Sequence, residues 1–252
     1  MKPAHKSHTD TLPDNLRYVA IEGVIGVGKS QLSSLLAERF DLRLVLEDFE
    51  ENPFLSRFYR NPSRWAFQTQ IAFLASRYRQ LSTLRTMDLF HKGAITDYSF
   101  DKDWIFAHMY LSDEEVDIYD KLYMQMEMST PQPDLVIYIQ SSLECSLERI
   151  RERNLPYERG INRDLLKRLR EAYIDYFFRY TKSPLLNVNV EQMDFKQRPE
   201  DLDELARIIV ETEHYGITST TQASQHYLNE PIVRHSACGD WILSIEGSLA
   251  VV

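Results

Sequence analysis

The chain is poor in cysteine and in positive charge. Its 252 residues include two cysteines, and 29 Lys and Arg stand against 38 Asp and Glu, which gives a net charge of −9 at pH 7. Cys145 and Cys238 form neither a disulfide framework nor a C-x-x-C pair, so we expect a reducing compartment, the cytoplasm. Binding to nucleic acid phosphates needs clustered Lys and Arg. We therefore expect no nucleic acid partner.

Long apolar stretches are missing as well. No run approaches the roughly 20 apolar residues that a membrane helix needs. Residues 1–16 are polar and lack the apolar region of a signal peptide. The sequence therefore predicts no membrane partner and no leader segment.

Apolar strands and amphipathic helices alternate along the rest of the chain. Strands are predicted at 18–22, 42–47, 93–98, 134–140 and 185–190, and helices at 29–40, 61–90, 101–127, 141–154, 162–181 and 199–211. This order is typical of an α/β fold, with a five-stranded parallel sheet covered by helices on both faces. We expect a flexible N-terminal arm at 1–16, one domain at 17–215, and a C-terminal appendage of unknown role at 216–252, either an added strand or an ordered tail.

A glycine-rich segment connects the first strand to the first helix. The residues "GVIGVGKS" fit the P-loop pattern G-x-x-x-x-G-K-[ST] and comprise Gly23, Val24, Ile25, Gly26, Val27, Gly28, Lys29 and Ser30. Their backbone N–H groups and the helix N-terminus form an anion site. Lys29 is expected to reach the β- and γ-phosphates of a nucleotide, and the Ser30 hydroxyl to bind Mg²⁺. The motif predicts a P-loop NTPase-type fold without saying what is done with the phosphate.

Three acids follow predicted strands, at the sheet edge where ligands bind in such folds. They are Glu22, Glu47 and Asp97. A kinase that acts on an alcohol gains from a carboxylate that takes the hydroxyl proton, and both Glu47 and Asp97 qualify by position. The guanine motif N-K-x-D of GTPases is absent from the sequence.

Two arginines share a face of the helix at 141–154. Arg149 and Arg153 stand four residues apart. Guanidinium groups that close over a transferred phosphoryl group stabilise its charge. From spacing alone, a solvated face of i,i+4 ion pairs is the simpler interpretation.

Between residues 18 and 211 the chain resembles the deoxynucleoside kinases, more closely their bacterial members that act on deoxyadenosine or deoxyguanosine. The resemblance is carried by "IEGVIGVGKS", "VLEDFEENPF", "FYRNPSRWAFQTQIAFLASRYRQL" and "RIRERNLPYERGI". It implies phosphoryl transfer from ATP, with Mg²⁺, to the 5′-hydroxyl of a deoxynucleoside, a purine being favoured, in nucleotide salvage. It also implies a homodimer formed through helices near 61–90 and 101–127.

The resemblance assigns roles to individual residues. Glu47 is the implied catalytic base, and Lys29, Arg149 and Arg153 neutralise the phosphates, the two arginines from a basic lid at about 149–161. Tyr59 and Glu158 are implied to bind the sugar 3′-hydroxyl. Gln68 and Arg77 are implied to bind the nucleobase. Asp97 is left between Mg²⁺ and the substrate.

The chain departs from the commoner family pattern at two positions. Tyr98 stands where many relatives have an Arg that supports the base, so another group must do so here, and Leu155 stands where a further lid Arg is frequent. Two alternatives stay open at this point: a thymidylate-type nucleoside monophosphate kinase, and a non-catalytic accessory subunit on the same fold. An accessory subunit would be expected to lose Lys29, Ser30 or Glu47, all of which are present.

Overall fold

The computed structural model describes residues 11–85, 91–155, 158, 160–215, 232–235 and 241–245. The strands are β1 Tyr18–Glu22, β2 Arg43–Val45, β3 Ala94–Thr96, β4 Leu135–Gln140, β5 Leu185–Asn189, β6 Ile232–His235 and β7 Trp241–Ile245. The helices are α1 Lys29–Phe40, α2 Leu55–Arg60, α3 Pro62–Ser82, α4 Asp101–Tyr110, α5 Asp113–Glu127, α6 Leu143–Arg153, α7 Arg163–Phe178 and α8 Pro199–Tyr215, with a 3₁₀ turn at Thr83–Arg85.

The strands form one sheet in the order β2-β3-β1-β4-β5-β7-β6. Neighbouring strands from β2 to β5 run parallel, with β1 between β3 and β4. The predicted five-stranded parallel sheet is therefore confirmed. The segment at 216–252 contributes two more strands: β7 pairs parallel to β5, and β6 pairs antiparallel to β7. The rest of that segment lies outside the described residues.

The core lies on both faces of the central strands. All five residues of β1 are buried, as expected of a parallel strand with helices above and below it. Leu32 and Leu36, one turn apart on α1, are fully buried in the same cluster, and burying each such side chain contributes about 1.5–3 kcal/mol. Leu16 is buried in this cluster and Leu12 packs against it. Residues 11–16 of the predicted arm are thus packed on the domain, and residues 1–10 lie outside the described residues.

Helix boundaries follow local chemistry. Ser112 starts α5 through a capping box, in which its hydroxyl accepts from the Glu115 N–H and the Glu115 carboxylate accepts from the Ser112 N–H. Helix α2 was not predicted, and α3 ends at Ser82 rather than continuing to residue 90; residues 86–90 lie outside the described part. Among the helices described, none is long and apolar enough to span a membrane.

Candidate active site

The P-loop is held in shape by close packing against α6. Gly26 has φ +85°, and a Cβ there would lie 2.5 Å from the Ser146 carbonyl oxygen, so the position requires glycine. The Lys29 ammonium donates to the carbonyl oxygens of Gly23 at 2.7 Å and Val24 at 3.1 Å. Burial, and the neighbouring charge of Lys102, lower the pKa of Lys29 to about 8. The Lys29 ammonium is thus held at the P-loop by the carbonyl oxygens of the loop itself.

Two cavities meet at this loop. The larger, about 590 Å³, lies between the P-loop and α6, and the smaller, about 130 Å³, lies between the loop after β2, α3 and α4. Gly26, Lys29, Ser30 and Arg153 line both cavities. We call the larger the donor cavity and the smaller the acceptor cavity. A phosphate chain lying on the P-loop would therefore point from the first into the second.

The far wall of the donor cavity follows β5. It is formed by Val190 and residues 193–197, which follow that strand. From the other side, the Arg149 guanidinium donates to the Val27 carbonyl at 2.6 Å. The predicted phosphate ligand Arg149 thus lies directly over the P-loop.

Asp97 joins the P-loop to the end of β2. Its Oδ2 accepts a hydrogen bond from the Ser30 hydroxyl, and its Oδ1 accepts from the Glu47 backbone N–H at 2.7 Å. A hydroxyl and a carboxylate in contact beside a phosphate loop are the hard oxygen donors that Mg²⁺ prefers, together with phosphate oxygens. The residues present therefore fit the ion that the fold implies.

The Glu47 carboxylate forms ion pairs with two cations in the acceptor cavity. Its Oε1 accepts from the Arg77 guanidinium, with Nε at 3.0 Å, and its Oε2 pairs with the Lys102 ammonium. Burial raises the pKa of a carboxyl, but here Lys102 and Arg77 outweigh it and hold the pKa of Glu47 well below its usual range. Glu47 is thus an oriented, ionised carboxylate.

Arg77 lies between two carboxylates. It binds Glu47 through one side of its guanidinium and Asp103 through Nη1. Asp103 is fully buried, and this burial raises its pKa to about 7 in spite of Arg77. Arg77 lines the acceptor cavity, as its predicted role near the base requires, but its described ion-pair partners are these two acids.

The predicted base-binding residue Gln68 is exposed and does not line the described walls of the acceptor cavity. Gln70 lines that cavity instead, at 1% exposure, and its buried Oε1 has no hydrogen-bond partner among the described residues. The reason is helical phase. Gln70 shares a face with Phe73 and Arg77, three and seven residues on, whereas a position two residues away lies on the opposite side of α3. The choice of Gln68 is corrected to Gln70.

Tyr59 and Glu158 close the acceptor cavity from the lid side. Glu158 is paired with Arg153, at 3.1 Å from Nε to Oε2 and 2.5 Å from Nη2 to Oε1. Burial raises the pKa of Glu158, and Arg153 partly offsets that rise. The two predicted lid residues Arg153 and Glu158 are thus paired with one another.

Sequence reasoning missed Lys102. It enters the acceptor cavity from the first turn of α4, and no motif pointed to it. Tyr98, by contrast, is fully buried and its hydroxyl donates to Gln80. Glu22, the third strand-end acid, is buried below the P-loop and accepts from Ser99. We therefore assign Glu22 a structural role, since its described hydrogen bonds hold the segment after β3.

A P-loop that faces an ionised carboxylate across a small cavity, with a second cavity on its other side, is the arrangement of a P-loop phosphotransferase. The family model for deoxynucleoside kinases matches residues 19–213. The chain therefore belongs to the deoxynucleoside kinase family, and it is an ATP-dependent kinase of deoxynucleosides.

Two curated relatives come from Bacillus subtilis (strain 168). The chain is 34% identical over 201 residues to its deoxyguanosine kinase, covering 77% of this chain and 96% of the relative. It is 30% identical over 204 residues to its deoxyadenosine/deoxycytidine kinase, covering 78% and 93%. The structure of deoxyadenosine kinase from M. mycoides with bound dATP superimposes with a TM-score of 0.66 at 23% identity, covering 75% of this chain and 98% of that one. The last likeness supports the fold alone.

These relatives decide between the alternatives that the sequence left open. The family match and the named kinases support neither a monophosphate kinase nor a non-catalytic subunit. Lys29, Ser30 and Glu47 also meet at one site, as an active kinase requires.

Proposed function

We propose that this kinase moves the γ-phosphoryl group of ATP to the 5′-hydroxyl of a purine deoxynucleoside, with Glu47 as the base. The observation that carries the proposal is the position of the Glu47 carboxylate, which lines the acceptor cavity together with Lys29 and Ser30 of the P-loop. A hydroxyl bound in that cavity lies between the carboxylate and the phosphate chain.

The proposed mechanism needs little covalent chemistry from the protein. Glu47, ionised at neutral pH, accepts the 5′-hydroxyl proton as the oxygen attacks phosphorus. Charge that spreads over the oxygens of the transferred group is met by Lys29, Arg149 and Arg153. Tyr59 and Glu158 hold the sugar, so that the hydroxyl is fixed in line with the donor.

Gln70 is the proposed reader of the nucleobase, in place of Gln68. A side-chain amide donates and accepts at once, as a base edge requires. The buried Gln70 Oε1 without a described partner supports this role, because a buried acceptor is costly unless a ligand satisfies it. Phe73 and Phe106 line the same cavity and supply apolar surface for the base.

Mg²⁺ is proposed at Ser30 and Asp97. When bound there it would neutralise charge on the donor phosphates. The hydroxyl and carboxylate in contact support this assignment, and they leave the remaining positions to phosphate oxygens and water, as Mg²⁺ sites commonly do.

Purine preference is proposed because both relatives carry a purine nucleoside in their names, deoxyguanosine in one and deoxyadenosine, together with deoxycytidine, in the other. The test is a panel of the four deoxynucleosides, with thymidine monophosphate added, under ATP and Mg²⁺. We expect the highest kcat/KM for a purine deoxynucleoside and no transfer to the monophosphate. A pyrimidine preference would overturn the base assignment alone, whereas transfer to the monophosphate would overturn the acceptor class.

We also propose that the kinase is a cytoplasmic homodimer. Helix α5 exposes Ile118 and Leu122, one turn apart, and α7 exposes Ile174 and Phe178, also one turn apart. Exposed apolar side chains in such pairs favour helix-to-helix contact between copies. Sedimentation should give twice the mass of the chain, and Leu122→Glu should lower it to one copy; a monomeric wild type would refute the dimer.

A further inference from the structure

Lys102 brings an additional positive charge into the acceptor cavity. It lies in the first turn of α4, only 7% of the residue is exposed, and it lines the cavity with Glu47, Lys29 and Asp97. A buried ammonium is costly unless it is paired. Its described ion-pair partner is Glu47 Oε2. The buried lysine is therefore paired with the proposed base.

The two oxygens of Glu47 are held from different helices. Arg77 on α3 holds Oε1, and Lys102 on α4 holds Oε2. One cation on one oxygen leaves a carboxylate free to swing about its last bonds, whereas two cations on two oxygens fix the plane of the group. The direction in which Glu47 faces the cavity therefore depends on both.

The two cations are not equivalent. Arg77 is also bound to the buried Asp103, so its charge is shared between two acids. Lys102 pairs with Glu47 and with no second acid among the described ion pairs. Its ammonium is a compact charge with three donors on a flexible stem, which can stay on Glu47 while the carboxylate takes up a hydroxyl.

We propose that Lys102 is a positioning residue for phosphoryl transfer, which orients the Glu47 carboxylate toward the acceptor hydroxyl. Lys102 supports the base in place of the Arg that many relatives have at position 98. Tyr98 cannot do so, since its hydroxyl donates to Gln80 in the core. The inference rests on the proposed role of Glu47, and its test separates the two.

The first experiment compares Lys102→Met with Lys102→Arg. General-base catalysis contributes about 10²–10⁴-fold, so loss of its orientation should lower kcat by about tenfold or more. The KM values for ATP and deoxynucleoside should stay within about threefold, because Lys102 acts on the base rather than on binding. Lys102→Arg should recover most of kcat. Lys182→Met is the control: Lys182 is another lysine paired with acids, Asp101 and Glu127, but it does not line either cavity, and its removal should leave kcat unchanged.

The second experiment places Lys102→Met in the Glu47→Gln background. If Lys102 acts through Glu47, the double variant should be no slower than Glu47→Gln alone, because residues that act as a unit are non-additive. Losses that multiply would overturn the inference, as would a fall in kcat matched by Lys182→Met. If Lys102→Met does not fold, Lys102→Arg decides: near-normal kcat supports the inference, and a loss above tenfold at unchanged Tm overturns it. Retained turnover in Glu47→Gln alone would instead remove the base assignment.

Discussion

Arg153 and Glu158 form a two-point ion pair at the junction of the two cavities, with Nε 3.1 Å from Oε2 and Nη2 2.5 Å from Oε1. Each is proposed to bind a different substrate, the arginine a phosphate and the acid a sugar hydroxyl. Neither can do so fully while the pair is intact. We therefore expect that binding of one substrate releases the partner residue for the other.

Glu158→Gln should raise the KM for the deoxynucleoside by about tenfold or more, since a hydrogen bond to a charged group is worth about 1.5–3 kcal/mol. The KM for ATP should rise less, because Arg153 is then free for phosphate. Steady-state kinetics with each substrate varied checks this. Glu144→Gln is the control: it breaks an Arg163–Glu144 pair that is exposed and outside both cavities. Equal effects from the two variants would argue against the proposed sugar contact.

Glu47→Gln should lower kcat by about 10²–10⁴-fold, the usual contribution of a general base. The Kd for ATP, measured by titration calorimetry, should stay near normal, because Glu47 lies on the acceptor side of the site. Glu50→Gln makes the same charge change three residues on at an exposed side chain, and should leave kcat unchanged. Turnover near the wild-type rate in Glu47→Gln would remove Glu47 as base.

How far the sequence predicts this site depends on whether the determinant is local. The P-loop is set by residues within a few positions of one another, so its motif predicted it. Lys102 and Glu47 are 55 residues apart and meet only because the loop after β2 and the start of α4 lie beside the same cavity. The spacing of the two residues in the sequence therefore does not predict their contact.

The error at Gln68 has a different origin. The motif pointed to a glutamine of α3, but two glutamines two positions apart lie on opposite faces, since each residue turns an α-helix by about 100°. Only the packing of α3 decides which faces the cavity. The bounds of β6 and β7 were not predicted. Their pairing depends on the free edge of the sheet at β5, and the local sequence does not determine it.

Gln70→Met should raise the KM for the deoxynucleoside by about fivefold or more, because an unmade hydrogen bond costs about 1–3 kcal/mol in a buried site. Methionine has a similar length, so the shape of the cavity is retained while the amide is lost. Gln68→Met is the matched control on the exposed face of the same helix and should leave KM unchanged. The reverse outcome, with Gln68→Met the more harmful, would restore the original assignment.

The affinity for ATP should decline above pH 8. The pKa of Lys29 is lowered to about 8 in the free enzyme by burial and by Lys102, and bound phosphate favours the charged ammonium. Above pH 8 a proton must therefore be taken up on binding, and Kd should rise by up to about tenfold per pH unit. Calorimetry at pH 7 and pH 9, in two buffers of different ionisation enthalpy, measures both Kd and proton uptake. Lys102→Met should move the decline to higher pH, because removing a neighbouring positive charge raises the pKa of Lys29. A constant Kd from pH 7 to pH 9 without proton uptake would contradict the lowered pKa.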